Sequence, residues 1–218
     1  MYNFFYNWDG LNKTLFIHLN QLTNIYPLPQ ILYLFSKMFF IGNFAIIYII
    51  YCIYFYIKIK NLRNKEIYFQ NIFYELVRIG IIYTIFGLTF TAFKFLVNMP
   101  RPFCSLPLSD FITIADIAKE RCLSSFPSAH TGLCILVTYV LHRYLNWFLK
   151  ILMYGLVLIV ATSRITLAMH YPADIIYSAL VTINVIILGN LVYFKLHNQV
   201  IKPIGNLLFS LIFTEEKL

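Results

Sequence analysis

The chain has 218 residues, 60% of them hydrophobic and only 12% charged, with a formal net charge of +8 and a mean hydropathy of +0.73. Soluble domains are nearer half apolar and a quarter charged, so the composition excludes an ordinary soluble fold and reads as an all-α integral membrane protein with one membrane-embedded domain over residues 1–218. The basic residues are scattered between apolar stretches, which argues against nucleic acid as a partner and for a lipid bilayer, with basic loops in the cytoplasm and attraction to anionic headgroups or phosphates.

The first residues, "MYNFFYNWDGLNK", lack a basic start followed by an apolar run and do not read as a cleaved signal peptide. Residues 11–26 then carry Leu11, Leu15, Leu19, Leu22 and Tyr26 at close to helical spacing, with Asn12, Asn20, Gln21 and Asn24 on the other face. Such a helix is too polar to cross a membrane alone and suits the interface, so residues 1–30 are expected to form an interfacial segment broken by Pro27 and Pro29. A crossing helix needs about 20 mostly apolar residues. Five such spans follow, near 38–57, 73–97, 129–146, 149–168 and 174–194, and together they predict a helical bundle. The tail "LLFSLIF" is too short to cross and is expected to return to the interface.

The basic segments "KIKNLRNK" (58–65) and "HRYLNWFLK" (142–150), with Lys195, Lys202 and Lys217, occupy alternate loops. The positive-inside rule makes that side cytoplasmic and puts the N-terminus and the long loop 98–128 outside. Loops of that length are usually functional. The outer ends of four spans then bring Lys94, Arg101, Ser128, His130, Arg164, His170 and Asp174 to one face. Singly, each has an ordinary explanation: Lys94 can snorkel, Arg101 can anchor at the interface, Ser128 can cap a helix, and Asp174 can favour a helix N-terminus. Arg164 is the hardest to dismiss, because an arginine within a span costs about 2.5–3.5 kcal/mol on insertion scales. Jointly, three cations, two histidines and a carboxylate resemble a phosphate site, since Arg and Lys bind phosphoryl oxygens and a helix start presents N–H groups to an anion. His18, His142 and His197 fall in interfacial or cytoplasmic segments and are assigned no chemistry.

Cys52 and Cys134 fall in spans and read as buried apolar residues. Cys104 and Cys122 share the outer loop, where they can pair if the compartment is oxidising or stay as two thiols; closing such a loop is worth about 3 kcal/mol. No Cys/His spacing suggests zinc, so no metal site is expected.

Three segments carry a resemblance. "KFLVNMPRP" (94–102) has a lysine, six residues, then Arg-Pro; "PSAH" (127–130) follows; "SRITLAMHYPAD" (163–174) has Ser-Arg, five residues, His, three residues, Asp. In order and spacing they resemble the signature of the type 2 phosphatidic acid phosphatase superfamily, with Ala129 where glycine is usual. Span placement extends the resemblance over about residues 38–194. It implies a metal-independent phosphatase without cofactor, working through a phosphohistidine. His170 resembles the nucleophile, Asp174 the group that orients it, and His130 the acid that protonates the leaving oxygen. Lys94, Arg101, Ser128 and Arg164, with the backbone at Ala129, would bind the phosphoryl oxygens. The added methyl of Ala129 is expected to weaken that contact at most. Many members carry another span ahead of the interfacial helix, so six is the alternative count.

The expected substrate is a membrane lipid phosphate or diphosphate. Lipid A phosphate and undecaprenyl diphosphate are favoured over phosphatidylglycerol phosphate and phosphatidate, because those headgroups are displayed on the outer face. That places the enzyme in a bacterial inner membrane with its site on the periplasmic side. The alternatives are a lipid phosphotransferase using the same phosphohistidine, or a non-catalytic lipid-binding or transport member.

Overall fold

The structure is a computed structural model that describes residues 5–60 and 65–213. Residues 61–64 of the basic loop, and Lys217, lie outside the described residues. The described chain is helical: α1 Leu11–Thr23, α2 Leu28–Met38, α3 Ile41–Lys60, α4 Lys65–Val97, α5 Ala129–His142, α6 Trp147–Thr166, α7 Pro172–Leu196 and α8 Lys202–Phe213, with short helical turns between some of them. Among the described residues the extended pairing is limited to one isolated bridge, Pro100 with Leu123.

Four helical runs among the described residues are long and apolar enough to cross a membrane: Ile41–Ile59, Lys65–Val97, Trp147–Thr166 and Pro172–Phe213. On α3 the apolar side chains point outward, with Ile46, Ile47, Ile50, Ile53 and Ile57 all exposed. Such a surface suits lipid and not water. The protein is an integral membrane protein of helical architecture.

Three details differ from the sequence reading. Residues 28–38 form a helix, where Pro27 and Pro29 suggested only a break; Pro29 falls in the first turn, where its missing N–H costs nothing. The stretch expected at 129–146 ends as a helix at His142, and its 14 residues reach only about 21 Å at 1.5 Å each. It stops early because Asn146 starts the next helix, its Oδ1 accepting from Leu149 N at 2.9 Å. The tail does not separate from the last span, since a π-helical turn at His197–Ile201 carries α7 into α8.

The described chain divides into two compact units, residues 1–43 with 88–183, and 44–87 with 184–218. In the first, α6 is the hub, with α1, α2 and α5 packed on it. Phe16, Phe103, Ile165, Leu167, Ala168, Met169 and Tyr171 form its main apolar cluster. In the second, Phe55, Ile59, Phe69 and Leu76 form the cluster, with Phe209 and Phe213 against it. There Gly189 lets α7 approach α4, since a Cβ would lie 2.6 Å from Ile82 Cγ1 and 3.0 Å from Ile82 Cα. Every candidate site residue belongs to the first unit.

Candidate active site

The end of α6 fixes two of the candidates together. An α-helix leaves its last four carbonyls without helical partners. Here Ser163 O accepts from Leu167 N at 3.0 Å, and Arg164 O accepts from Met169 N at 3.0 Å and His170 N at 3.2 Å. Ala168 takes a left-handed φ of 56° to make that wrap. The backbone of His170 is thereby tied to the backbone of Arg164. The remaining carbonyls, of Ile165 and Thr166, accept from Asn20 Nδ2 at 3.0 and 3.1 Å. Asn24 Nδ2 adds a bond to Thr166 O at 3.0 Å.

The start of α7 fixes the third. Pro172 occupies the first position, and Asp174, in the first turn, turns back so that its Oδ2 accepts from Tyr171 N at 2.8 Å. This is half of a capping box. Ala173 N, another N–H of that turn, donates to Asn12 Oδ1 at 3.0 Å. The same turn brings His170 Nδ1 to 3.5 Å from Asp174 Oδ2, both side chains being buried. The carboxylate also accepts from Ser125 Oγ at 2.5 Å on Oδ2 and from Tyr6 Oη at 2.7 Å on Oδ1.

The long loop 98–128 folds back on itself about the isolated bridge of Pro100 with Leu123. Arg101 N donates to Cys122 O at 2.8 Å and Ser125 N to Met99 O at 2.9 Å. A disulfide joins Cys104 to Cys122. This pairing holds Ser125 against Asp174 at one end and Glu120 against Arg101 at the other, with Arg101 Nη1 donating to Glu120 Oε2 at 2.8 Å and to Met169 Sδ at 3.2 Å.

The second motif caps α5. Ser128 is its N-cap, and its Oγ pairs with Thr131 Oγ1 at 3.0 Å instead of bonding to the backbone. Ser128 is fixed to α7 as well, its N donating to Asp174 O at 3.3 Å and its O accepting from Ser178 Oγ at 2.7 Å. Ala129 and His130 begin the helix, so their N–H groups belong to the helix start.

The cations surround this pair. Arg164 is buried and its Nη1 donates to Ser36 Oγ at 2.6 Å, a neutral partner. Lys94, on α4, interacts electrostatically with Arg101, Arg164 and Asp174. His130 interacts with Arg164, His170, Lys94 and Arg101. Thus Lys94, Arg101, Ser128, Ala129, His130, Arg164, His170 and Asp174 all fall within one neighbourhood. Burial, then the positive charges of Arg164, Arg101 and Lys94, push the His170 imidazole well below the usual histidine range, with the Ser125 backbone opposing. Burial and the neighbouring cations thus both favour the neutral ring, whose nitrogen lone pair can attack. Among the described residues, no group of three or more His, Cys, Asp or Glu is arranged to hold a metal ion.

Tyr6, Ser36, Glu120 and Ser125 touch the candidate residues and were absent from the sequence reading. Ser125 lies two residues before the second motif, a local signal for its place beside the site. Tyr6 and Ser36 carry no local signal, since they meet their partners across 168 and 128 residues.

Comparison with known proteins bears on the family and the fold. The sequence model of the PAP2 superfamily matches residues 75–198. Among solved structures, the chain is similar to the crystal structure of LpxE from Aquifex aeolicus. The TM-score is 0.62 at 20% identity, covering 82% of this chain and 94% of that one, and the likeness is one of fold. Among curated proteins, none matches significantly.

Proposed function

This chain belongs to the PAP2 superfamily, and from that premise we propose that it is a lipid phosphatase that removes the terminal phosphate of a lipid phosphate or diphosphate through a phosphohistidine on His170. The observation that carries this reading is the buried His170 with its Nδ1 3.5 Å from Asp174 Oδ2, within electrostatic reach of Arg164, Arg101 and Lys94. The carboxylate lies beside Nδ1 without a hydrogen bond to it in this structure; closing that contact in the substrate complex favours the tautomer with its proton on Nδ1 and leaves Nε2 as the attacking atom.

In the first step Nε2 of His170 attacks phosphorus, a P–N bond forms and the P–O bond to the lipid breaks. His130, protonated once the bound phosphate's negative charge offsets Arg164, Lys94 and Arg101, gives its proton to the leaving oxygen. In the second step water attacks the phosphohistidine, His130 takes the water's proton, and inorganic phosphate leaves. Lys94, Arg101, Arg164, the Ser128 hydroxyl and the backbone at Ala129 hold the phosphoryl oxygens, where charge develops. Arg164 suits that role because its bond to Ser36 is to a neutral group, so an anion still gains from its charge. The reaction needs no metal and no cofactor.

The whole chain acts as one membrane-embedded domain, with 98–128 as the active-site loop. The site lies on the face opposite the basic loops, the periplasmic side of a bacterial inner membrane. Lipid A phosphate and undecaprenyl diphosphate are the substrates that face best supplies. The test uses purified protein with chelator present and a panel of lipid phosphates. Phosphate release by wild type and none by His170→Ala is the expected result. Strict dependence on added metal would refute the mechanism. Phosphorylation of an added lipid alcohol or sugar in place of water would favour phosphotransfer.

A further inference from the structure

Asp174 has no solvent exposure, and the hydrogen bond on its outer oxygen comes from a segment far from every motif and outside the matched residues 75–198. Residues 5–12 lie along the start of α7 as a strap. Tyr177 Oη donates to Phe5 O, Tyr6 Oη donates to Asp174 Oδ1 at 2.7 Å, and Ala173 N donates to Asn12 Oδ1 at 3.0 Å. The strap is ordered within itself, with Trp8 Nε1 donating to Phe5 O at 3.0 Å and Gly10 N to Asn7 O at 2.9 Å. A left-handed run through Trp8, Asp9 and Gly10, at φ of 49°, 53° and 95°, turns it into α1. The ring of Tyr6 is buried edge-on against Phe126 and Tyr171, at centroid distances of 6.0 and 6.4 Å.

We infer that Tyr6 is a positioning residue for the reaction: its hydroxyl locks the rotation of the Asp174 carboxylate so that Oδ2 stays turned to His170. The inference rests on His170 and Asp174 having the roles proposed above. The physical reason is the division of labour between the two oxygens. Oδ2 faces His170 Nδ1 and accepts from Ser125 Oγ and Tyr171 N. Oδ1 accepts from Tyr6 on the other side. Terminal carboxylate torsions are broad and nearly two-fold. Donors on both oxygens convert that soft torsion into a fixed one, and a second group that orients the orienter is a recurring way to set a catalytic imidazole. The Tyr6 hydroxyl meets the site at Asp174 Oδ1, so its effect passes through Asp174.

Tyr6→Phe keeps the aromatic packing and removes only the hydroxyl. The expected result is a fall in kcat of about tenfold, the size of one hydrogen bond to a charged group, with KM within about twofold. In the Asp174→Asn background the same substitution should change kcat by less than about twofold, because the carboxylate it orients is gone. Trp8→Phe removes another hydrogen bond of the strap without touching Asp174, and should leave kcat near wild type. An active wild type silenced by His170→Ala, with Tyr6→Phe equal to it in kcat, overturns the inference and leaves the phosphatase reading standing. An undiminished loss in the Asp174→Asn background, or an equal loss from Trp8→Phe, also overturns it by assigning the effect to general ordering of the strap. A wild type that releases no phosphate from any lipid overturns both.

Discussion

Asp174 has two separable jobs, and two substitutions pull them apart. It accepts three hydrogen bonds, from Tyr6 Oη at 2.7 Å, Ser125 Oγ at 2.5 Å and Tyr171 N at 2.8 Å. It also sets a negative charge 3.5 Å from His170 Nδ1. In Asp174→Asn the amide oxygen can take the Oδ2 position and keep the bonds from Ser125 and Tyr171. The amide NH₂ then meets Tyr6, whose hydroxyl rotates to accept. All three contacts survive and only the charge is lost. In Asp174→Ala the Tyr171 N–H cannot turn away and the Ser125 hydroxyl is fully buried. One stranded N–H costs about 1–3 kcal/mol and a lost hydroxyl bond about 1 more, so the alanine costs about 3 kcal/mol in total.

At about 2–4 °C per kcal/mol for a chain of this size, that is a Tm lower by roughly 10 °C, against about 2 °C or less for the asparagine. Turnover should fall alike in both, by about 10²–10⁴, because neither supplies the charge that steadies the imidazole. Thermal unfolding in detergent and phosphate release from a lipid phosphate measure the two effects on the same samples. Equal Tm values would refute the hydrogen-bond cradle. An asparagine variant within tenfold of wild type in kcat would refute the electrostatic role.

Three further outcomes follow from the same contacts. Glu120 holds Arg101 Nη1 at 2.8 Å and its side chain is 44% exposed, so Glu120→Gln should lower KM for a lipid phosphate by up to about fivefold, the scale of a part-exposed ion pair; an unchanged or higher KM would mean that the carboxylate does not compete with phosphate. His170 has a folded pKa well below its ordinary value. Above about pH 6.5 both folded and unfolded states hold it neutral. Below that, the unfolded chain takes up a proton the buried site resists, so stability is lost as pH falls. Wild-type Tm should therefore drop more steeply between pH 7 and 5 than that of His170→Asn, and parallel curves would refute the linkage. Asn20→Asp replaces a donor that meets the carbonyls of Ile112, Ile165 and Thr166 with an acceptor. Those carbonyls keep second donors in Ala168 N and Asn24 Nδ2, so the cost is that of a buried carboxylate facing carbonyl oxygens it cannot bond. A Tm loss of at least about 5 °C is expected, and a loss under about 2 °C would show that α6 does not depend on this cap.

The candidate residues were legible because a charge in an apolar chain is conspicuous. Lys94, Arg101, Arg164 and Asp174 each sit where burial or lipid penalises charge, so their presence in ordered spacing already calls for a reason. Tyr6, Ser36 and Asn20 are residue types that any water–lipid border contains, and their work depends on partners 168, 128 and 145 residues away. No local pattern encodes such a pairing. The loop 98–128 shows the same limit: its length and its outer position are legible, but the backbone bonds that set Ser125 on Asp174 and Glu120 on Arg101 depend on pairing across it.

The first helix shows why amphipathic patterning gave the element and missed its use. The rule takes the polar face of an interfacial helix to seek water. In α1 it is Asn12, Phe16 and Asn20 that are buried, while Leu11 and Leu22 are exposed. The surface beneath α1 is apolar around Phe16 and polar on either side of it. It consists of the end of α6 and the start of α7, two helix termini whose orphan carbonyls and N–H groups cannot be left bare where water is scarce. Asparagine carries both a donor and an acceptor, and Asn20 serves the carbonyls of α6 while Asn12 serves an N–H of α7. Leu11 and Leu22 are left for lipid or interface. The polar stripe of α1 is therefore read best as the complement of two helix ends, and those ends are the ones that carry Arg164, His170 and Asp174.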